Sequence, residues 1–178
     1  MKRYLIIAML LLVATIGFTA DRSPHWTKAR HDYMYGTNTI DEAYLQETGI
    51  KQDAMHGPKD DKGNPICVIC GTTKSLQLHH IKPFHLHPQL ELDSHNYILV
   101  CTSKYAGFNC HLAAAHGSNF KLENPWIVED AAVLHDMILK YKGYTVLPDE
   151  IKKYLSYIKV TVKTWNLDNT YVRPPFNN

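Results

Sequence analysis

Residues 64–117 read NPICVICGTTKSLQLHHIKPFHLHPQLELDSHNYILVCTSKYAGFNCHLAAAHG. This stretch contains all four cysteines of the 178-residue chain and seven of its eleven histidines. Thiol and imidazole side chains are the protein ligands that zinc and other transition metals prefer. Because both types are concentrated in under a third of the chain, we expect its chemistry to lie here.

The cysteines form two pairs with different spacings. Cys67 and Cys70 are separated by two residues, a turn in which two thiolates can converge on one ion. Cys101 and Cys110 are separated by eight residues, more than is usual in zinc sites. We interpret the four thiols first as a structural zinc site. Two disulfides and free thiols stay open as alternatives, because an oxidising compartment would favour disulfides.

Two adjacent histidines end a predicted strand. The segment LQLHHIKP over residues 76–83 is typical of a strand that is stopped by its proline. His79 and His80 would face opposite sides of a regular strand. For both to serve one site, the backbone must twist or leave the strand at His80, and Pro83 permits such an exit.

A second strand and a short helix follow along the chain. Asn96 opens an apolar run that ends in Cys101. Residues 109–117, NCHLAAAHG, predict a short helix that Asn109 caps, three alanines propagate and the last glycine ends. His111 therefore lies beside the fourth thiol.

The order of these motifs resembles the HNH endonucleases, and most closely the phage and bacterial members whose finger is held by four zinc-binding cysteines. The resemblance is specific over residues 64–117 and implies a ββα-metal finger. It implies that His80 is the general base, that His79 and His111 hold the catalytic metal, and that Asn96 orients the loop carrying the base. A neutral imidazole with a pKa near its usual value of about 6.5 can take a proton from water at physiological pH.

The resemblance also implies two kinds of metal. A structural Zn²⁺ would be held by Cys67, Cys70, Cys101 and Cys110. A catalytic divalent cation would be held by the histidines, with Mg²⁺ as the first expectation and Mn²⁺, Ni²⁺ or Zn²⁺ as alternatives. No small-molecule cofactor is expected.

The chain departs from the family pattern in two places. The eight residues between the second pair of cysteines exceed the two that are typical, so they must loop out without moving the start of the helix. His116 follows His111 by five residues, where some members have a histidine after four. Five residues rotate a side chain roughly 140° away in an ideal α-helix. His116 can therefore join the metal only if the helix unwinds before Gly117.

These features predict a metal-dependent endonuclease that hydrolyses phosphodiester bonds in DNA, with RNA as a second candidate substrate. Two alternatives stay open: a zinc-stabilised nucleic-acid-binding module without activity, and a secreted disulfide-bonded protein. The formal charge is +2 and falls to zero without the first 20 residues, so bulk charge does not support nucleic-acid binding. Local cations would have to contact phosphates, and Lys74, Lys82, Lys104 and Lys121 are the candidates.

The remaining chain divides around the finger. Residues 1–20 have a basic start and an apolar middle, which predicts a cleaved signal peptide or a membrane anchor through residues 4–20, with a buried helix as the third alternative. The protein would accordingly be periplasmic or secreted, or else membrane-anchored. Residues 21–63 are a predicted polar extension and linker, with helices over 26–35 and 39–47. Residues 64–145 are the predicted nuclease domain.

Residues 146–178 are a predicted C-terminal helix and tail. One helix is expected from Pro125 to Tyr141, and a second from Pro148 to about Ile158, followed by a tail with an alternating VTV opening. Hydrophobic residues make up 45% of the chain and charged residues 20%, so a core can form and a disordered chain is excluded. The predicted class is α+β, and the sequence indicates no oligomeric state.

Overall fold

The computed structural model describes residues 21–36, 56–105, 107–143 and 145–177. Helices and two small antiparallel sheets make these residues a mixed α+β structure, which confirms the predicted class. The expected signal or anchor over 1–20 and the expected helix over 39–47 lie outside the described residues. Among the helices of the described ranges, none is long and apolar enough to cross a membrane.

The central hairpin consists of β1 (Leu76–His80) and β2 (Tyr97–Cys101), which pair antiparallel with His79 opposite Ile98. All five residues of β2 are buried. A strand buried along its whole length is covered on both faces, which is why it reads as an unbroken apolar run. Both strands were predicted, and β1 ends at the second histidine.

One face of this hairpin is covered by α1 (Trp26–Tyr35), a helix with the predicted bounds. Tyr33 and Met34 pack against Tyr97 and Leu99. The Tyr33 hydroxyl also donates a hydrogen bond of 3.2 Å to the backbone oxygen of Tyr97. This part of the predicted polar extension is therefore packed onto the sheet.

The other face of the hairpin meets a short π-helix (His111–Ala115). Between β2 and this helix the chain forms a second hairpin of β3 (Lys104–Tyr105) and β4 (Phe108–Asn109). Three alanines of the π-helix are buried, so the helix backbone can approach the core closely. The prediction of a short helix here is confirmed, but its π geometry was not foreseen.

Two long helices complete the core around the π-helix. They are α2 (Ile127–Lys140) and α3 (Asp149–Leu167). The predicted end of the second helix near Ile158 is wrong, because α3 continues through the VTV segment to Leu167. Thr161 and Val162 are buried on the same face as Ile158, so tertiary packing outweighs the β-propensity of this segment.

Candidate metal centres

Four cysteines from three parts of the fold converge on one point. Cys67 and Cys70 lie in the turn before β1, Cys101 is the last residue of β2, and Cys110 immediately precedes the π-helix. Their sulfur atoms all lie within 4.8 Å of one another. Cys70 Sγ and Cys101 Sγ are 3.6 Å apart, close to the about 3.8 Å expected for two sulfurs of a tetrahedral zinc site with Zn–S bonds of about 2.3 Å.

The local backbone holds the first two thiols in place. The Gly71 amide donates to the Cys67 oxygen at 2.8 Å, and the Cys67 amide donates to the Thr72 oxygen at 2.9 Å. Gly71 has a φ of 70°, which a residue with a side chain rarely adopts, so glycine is needed at this turn. The turn presents two sulfurs to the same side.

The four thiols are free, and their close approach changes their acidity. Hydrogen bonds from Cys101 and Cys110 lower the pKa of the Cys67 and Cys70 thiols. Hydrogen bonding with the other three thiols raises the pKa of Cys110. Thiolates this close repel each other unless a cation lies between them, so the cluster could hold a metal ion.

The long spacing between the last two cysteines is taken up by the β3–β4 hairpin. Lys104 pairs with Asn109 and Tyr105 pairs with Phe108, so the chain turns back on itself between the two thiols. Cys101 and Cys110 are both fully buried. The extra residues therefore loop out without separating the two sulfurs, as the sequence required.

Three histidines form a second cluster beside the first. His79 lies on β1, His111 begins the π-helix and His116 follows its end. One ring nitrogen from each lies within 4.8 Å of the others. His111 Nε2 and His79 Nδ1 are 3.3 Å apart, within the about 3.0–3.4 Å expected of two nitrogens that share an ion at about 2.1 Å. This triad could hold a second metal ion.

The π-helix explains why His116 belongs to this cluster. Hydrogen bonds in a π-helix run between residues i and i+5, so residues five apart lie one turn apart on the same side. The ring centres of His111 and His116 are accordingly 5.0 Å apart, and the two rings meet edge to face. The 140° rotation expected for an α-helix does not occur.

Contacts at both ends support this turn. The Leu112 amide donates to Asn109 Oδ1 at 2.9 Å, which is the predicted cap. Gly117 has a φ of 52°, and a Cβ atom there would lie 2.9 Å from the Val162 side chain of α3. Asn124 Nδ2 donates to the Ala114 oxygen at 2.7 Å. The geometry of the turn therefore depends on residues far from it in sequence.

The ring nitrogens of the triad are poised to bind a cation. His116 Nδ1 lies 2.7 Å from the Leu122 oxygen, an acceptor that places the proton on Nδ1 and leaves Nε2 free to coordinate. Burial lowers the pKa of all three histidines, that of His111 to about 4. All three are therefore neutral at physiological pH, which is the form that ligates metals.

His80 packs on the α1 side of the strand and is buried. Its ring stacks on Trp26 with 4.7 Å between ring centres. His80 Nε2 lies 3.1 Å from the backbone oxygen of Glu91. A carbonyl oxygen can only accept, so Nε2 carries the proton and Nδ1 is the basic nitrogen. Burial lowers the pKa of His80, which keeps the ring neutral at pH 7.

Asn96 ties together the loop that orients His80. Its Oδ1 accepts from the Lys82 amide at 2.7 Å, and its Nδ2 donates to the oxygens of Lys82 at 3.0 Å and Leu90 at 3.3 Å. Residues 82 and 90 both lie in the segment that joins β1 to β2, and the next carbonyl, that of Glu91, accepts from His80. The side chain of Asn96 is buried and so holds this arrangement away from water.

A cavity of about 520 Å³ lies over these histidines. The triad and His80 border it, together with Arg22, Lys121 and Phe120. Lys74, Lys82 and Lys104 are exposed, but among the described residues they are not part of the cavity wall. Arg22 and Phe120 were missed in the sequence, because neither belongs to a motif and only the fold brings them to the histidines.

Comparisons with known proteins identify no relative of this chain. No protein-family model matches the chain, and no curated protein or solved structure matches it. The function must therefore be inferred from its own residues.

Proposed function

We propose that this protein is a metal-dependent endonuclease of the HNH type that hydrolyses phosphodiester bonds in DNA. One observation carries this proposal: three histidines that could hold an ion and a fourth with a fixed tautomer border the same cavity. A ligand set alone is compatible with many functions. A metal site beside a neutral, oriented imidazole is the combination that assisted hydrolysis needs.

The arrangement of the elements supports a ββα-metal finger. A hairpin supplies His79 and His80, and the π-helix and the residue after it supply His111 and His116. The four cysteines would hold a structural Zn²⁺ that fixes the turn before β1, the end of β2 and the start of the helix. Such an ion contributes about 10–16 kcal/mol to folding in small zinc domains.

The donor set of the triad bears on the identity of the catalytic cation. Three imidazoles suit Zn²⁺ or Ni²⁺, whereas Mg²⁺ prefers oxygen ligands. With His116 beside His79 and His111, we propose that Zn²⁺ or Ni²⁺ fits the site best. Mg²⁺, which the resemblance led us to expect first, fits three imidazoles less well. When bound, the cation would neutralise charge on the phosphate and on the leaving oxygen.

His80 is assigned as the general base. Its Nδ1 would take the proton of the attacking water while Nε2 stays bonded to the Glu91 oxygen. That bond stabilises the imidazolium that forms. Asn96 is a positioning residue, because its three hydrogen bonds hold the loop that delivers this oxygen.

Cations at the cavity would position the phosphate backbone. The Arg22 guanidinium lies 4.6 Å from the Trp26 ring centre and 4.5 Å from that of Phe84, and its side chain is 47% exposed. It is held between two rings and 3.4 Å from a Glu91 carboxylate oxygen, so its orientation is fixed in advance and a phosphate would compete with this ion pair. Lys121 borders the same cavity and is exposed.

A plasmid-cleavage assay with Zn²⁺, Ni²⁺, Mn²⁺ and Mg²⁺, and with EDTA as control, tests the proposal. We expect nicking with at least one cation and none with EDTA. His80→Gln keeps a polar group near the Glu91 oxygen but lacks the base, so it should lose at least 100-fold in rate, the lower bound typical of a catalytic base. His31→Ala, on the exposed side of α1, is the matched control and should cut like the parent.

The open alternatives predict different results. A binding module without activity would retain bound zinc and bind DNA, but would not cut it with any cation. A disulfide-bonded protein would lose four hydrogens and carry no metal in native mass spectrometry. Cleavage by His80→Gln at the parental rate would remove the base assignment.

A further inference from the structure

Phe120 is an exposed aromatic ring at the edge of the histidine cavity. Its side chain is 58% exposed, and its ring centre lies 5.6 Å from that of His111 and 5.1 Å from that of His116. The turn that carries it is held by backbone bonds of 2.9 Å from Asn119 to His116 and from Leu122 to Asn119. The ring is therefore presented to the cavity by an ordered segment.

The surroundings of Phe120 combine apolar surface with two cations, Arg22 and Lys121, and one carboxylate, Glu123. Leu86, which is 55% exposed, and Phe84 also border the cavity. Single exposed apolar residues are common and need no explanation. Here, however, several lie in one cavity with Arg22 and Lys121. Aromatic rings combined with cations along a groove are typical of sites that bind single-stranded nucleic acid.

The size of the cavity and the position of the ring favour an unpaired nucleotide. A volume of about 520 Å³ has room for a small ligand or one nucleotide. In a duplex, both faces of each base are covered by stacking, so an aromatic side chain has no free face to contact. Phe120 lies next to two candidate metal ligands, so a base stacked there would belong to a nucleotide at the scissile phosphate.

We infer that Phe120 is a stacking platform for an unpaired base, and that single-stranded DNA is the preferred substrate of the site. The inference rests on the proposed nuclease function and narrows its substrate class. The cations contact the phosphates, and the ring contacts the base of the nucleotide at the cleavage position. Stacking tolerates every base, so the preference is for strandedness and not for sequence.

Cleavage of a short single-stranded oligonucleotide by the full chain tests this inference. Stacking of one base contributes about 5- to 150-fold in affinity, the equivalent of about 1–3 kcal/mol. Phe120→Ala should therefore lower kcat/KM on the single strand by about that factor. Phe120→Tyr should retain the parental rate, and Phe120→Leu, which keeps apolar bulk without a ring face, should resemble the alanine variant. Val160→Ala, an exposed apolar position on α3, is the matched control and should change nothing.

An abasic oligonucleotide separates stacking from general damage to the site. With the bases removed, Phe120→Ala and the parent should cut at the same rate, because there is no base to stack. A parental rate for Phe120→Ala or for Phe120→Leu on the normal strand would overturn the inference. So would an equal loss on the abasic strand, or faster cutting of the matched duplex than of the single strand.

Failure of the proposed function is recognised separately. If the parent cuts no DNA with any cation, fluorescence anisotropy of the labelled single strand with the full chain replaces the rate. Phe120→Ala should then bind about 5- to 150-fold more weakly than the parent. Equal affinity, or no binding by the parent, would overturn the stacking role.

Discussion

Asp130 is the buried charge on which the helical part of the site depends, and its removal should be strongly destabilising. The residue is fully buried on α2. Its Oδ1 accepts from the Tyr154 hydroxyl and from Arg173 Nη2, and its Oδ2 accepts from Asn124 Nδ2, each at 2.7 Å. Asn124 also holds the Ala114 oxygen of the π-helix. The carboxylate thus links the C-terminal tail to the metal-binding turn.

The expected magnitude follows from what Asp130→Ala leaves behind. Three buried donors lose their acceptor, and one is the Arg173 guanidinium, whose side chain is only 11% exposed. Breaking one side of a buried ion pair costs about 3–5 kcal/mol. For a chain of this length, 1 kcal/mol shifts the melting temperature by about 2–4 °C, so a decrease of about 6–20 °C is expected.

Thermal and urea unfolding, with zinc present throughout, measure this effect. Asp136→Ala, an exposed acid on the same helix, should unfold like the parent. In the double variant Asp130→Ala with Arg173→Met no charge is left unpaired, so its loss should be smaller than the sum of the two single losses. A melting temperature unchanged in Asp130→Ala, or strict additivity in the double variant, would refute the reasoning.

Three further predictions concern the metal centres and the base. Cys67→Ser removes a ligand of a zinc site that contributes about 10–16 kcal/mol to folding, which is comparable to the whole stability of a domain. The variant should therefore melt far below the parent and retain less zinc. An unchanged melting temperature would contradict this. His116→Ala should weaken cation binding at the histidine triad by at least about 100-fold, as measured by competition with a chelator, while the four-cysteine site keeps its zinc. If the variant binds the cation as tightly as the parent, His116 is not a ligand. Burial lowers the pKa of His80 below its ordinary value of about 6.5, so this base stays unprotonated as the pH falls to 6.5. We therefore expect kcat/KM to decline only below that pH. A decline centred above pH 7 would contradict the assignment of His80 as the base.

The elements that the sequence predicted well are those with a local cause. The helix over 26–35 and the strand ending in Cys101 were predicted at their observed positions. The apolar run of β2 is long enough to indicate a buried strand, and Asn109 does cap the next helix through its side chain. The four cysteines were predicted to share one zinc ion from their residue type and from their arrangement as one pair separated by two residues and one separated by eight, with disulfides and free thiols as the alternatives.

The end of α3 could not be predicted from local pattern. Val160, Thr161 and Val162 favour a strand by propensity and alternate in polarity. The helix continues because Thr161 and Val162 extend the buried face begun by Ile158, and because Val162 lies against Gly117. This contact joins segments 45 residues apart, so no window of sequence reveals it.

His116 lies with His79 and His111 because the helix departs from ideal α geometry before Gly117, which is the condition that the sequence set for it. The sequence NCHLAAAHG favours an α-helix by composition, and in an α-helix His116 would turn away from His111. The structure has a π turn here instead, with the glycine that follows it close to Val162 and with Asn124 bonded to the Ala114 oxygen. Single π turns are rare and frequently occur at functional sites, where they change the direction in which a side chain projects. A five-residue spacing between two metal-binding residues in a short helix is therefore a reason to consider a π turn, even where the sequence favours an α-helix.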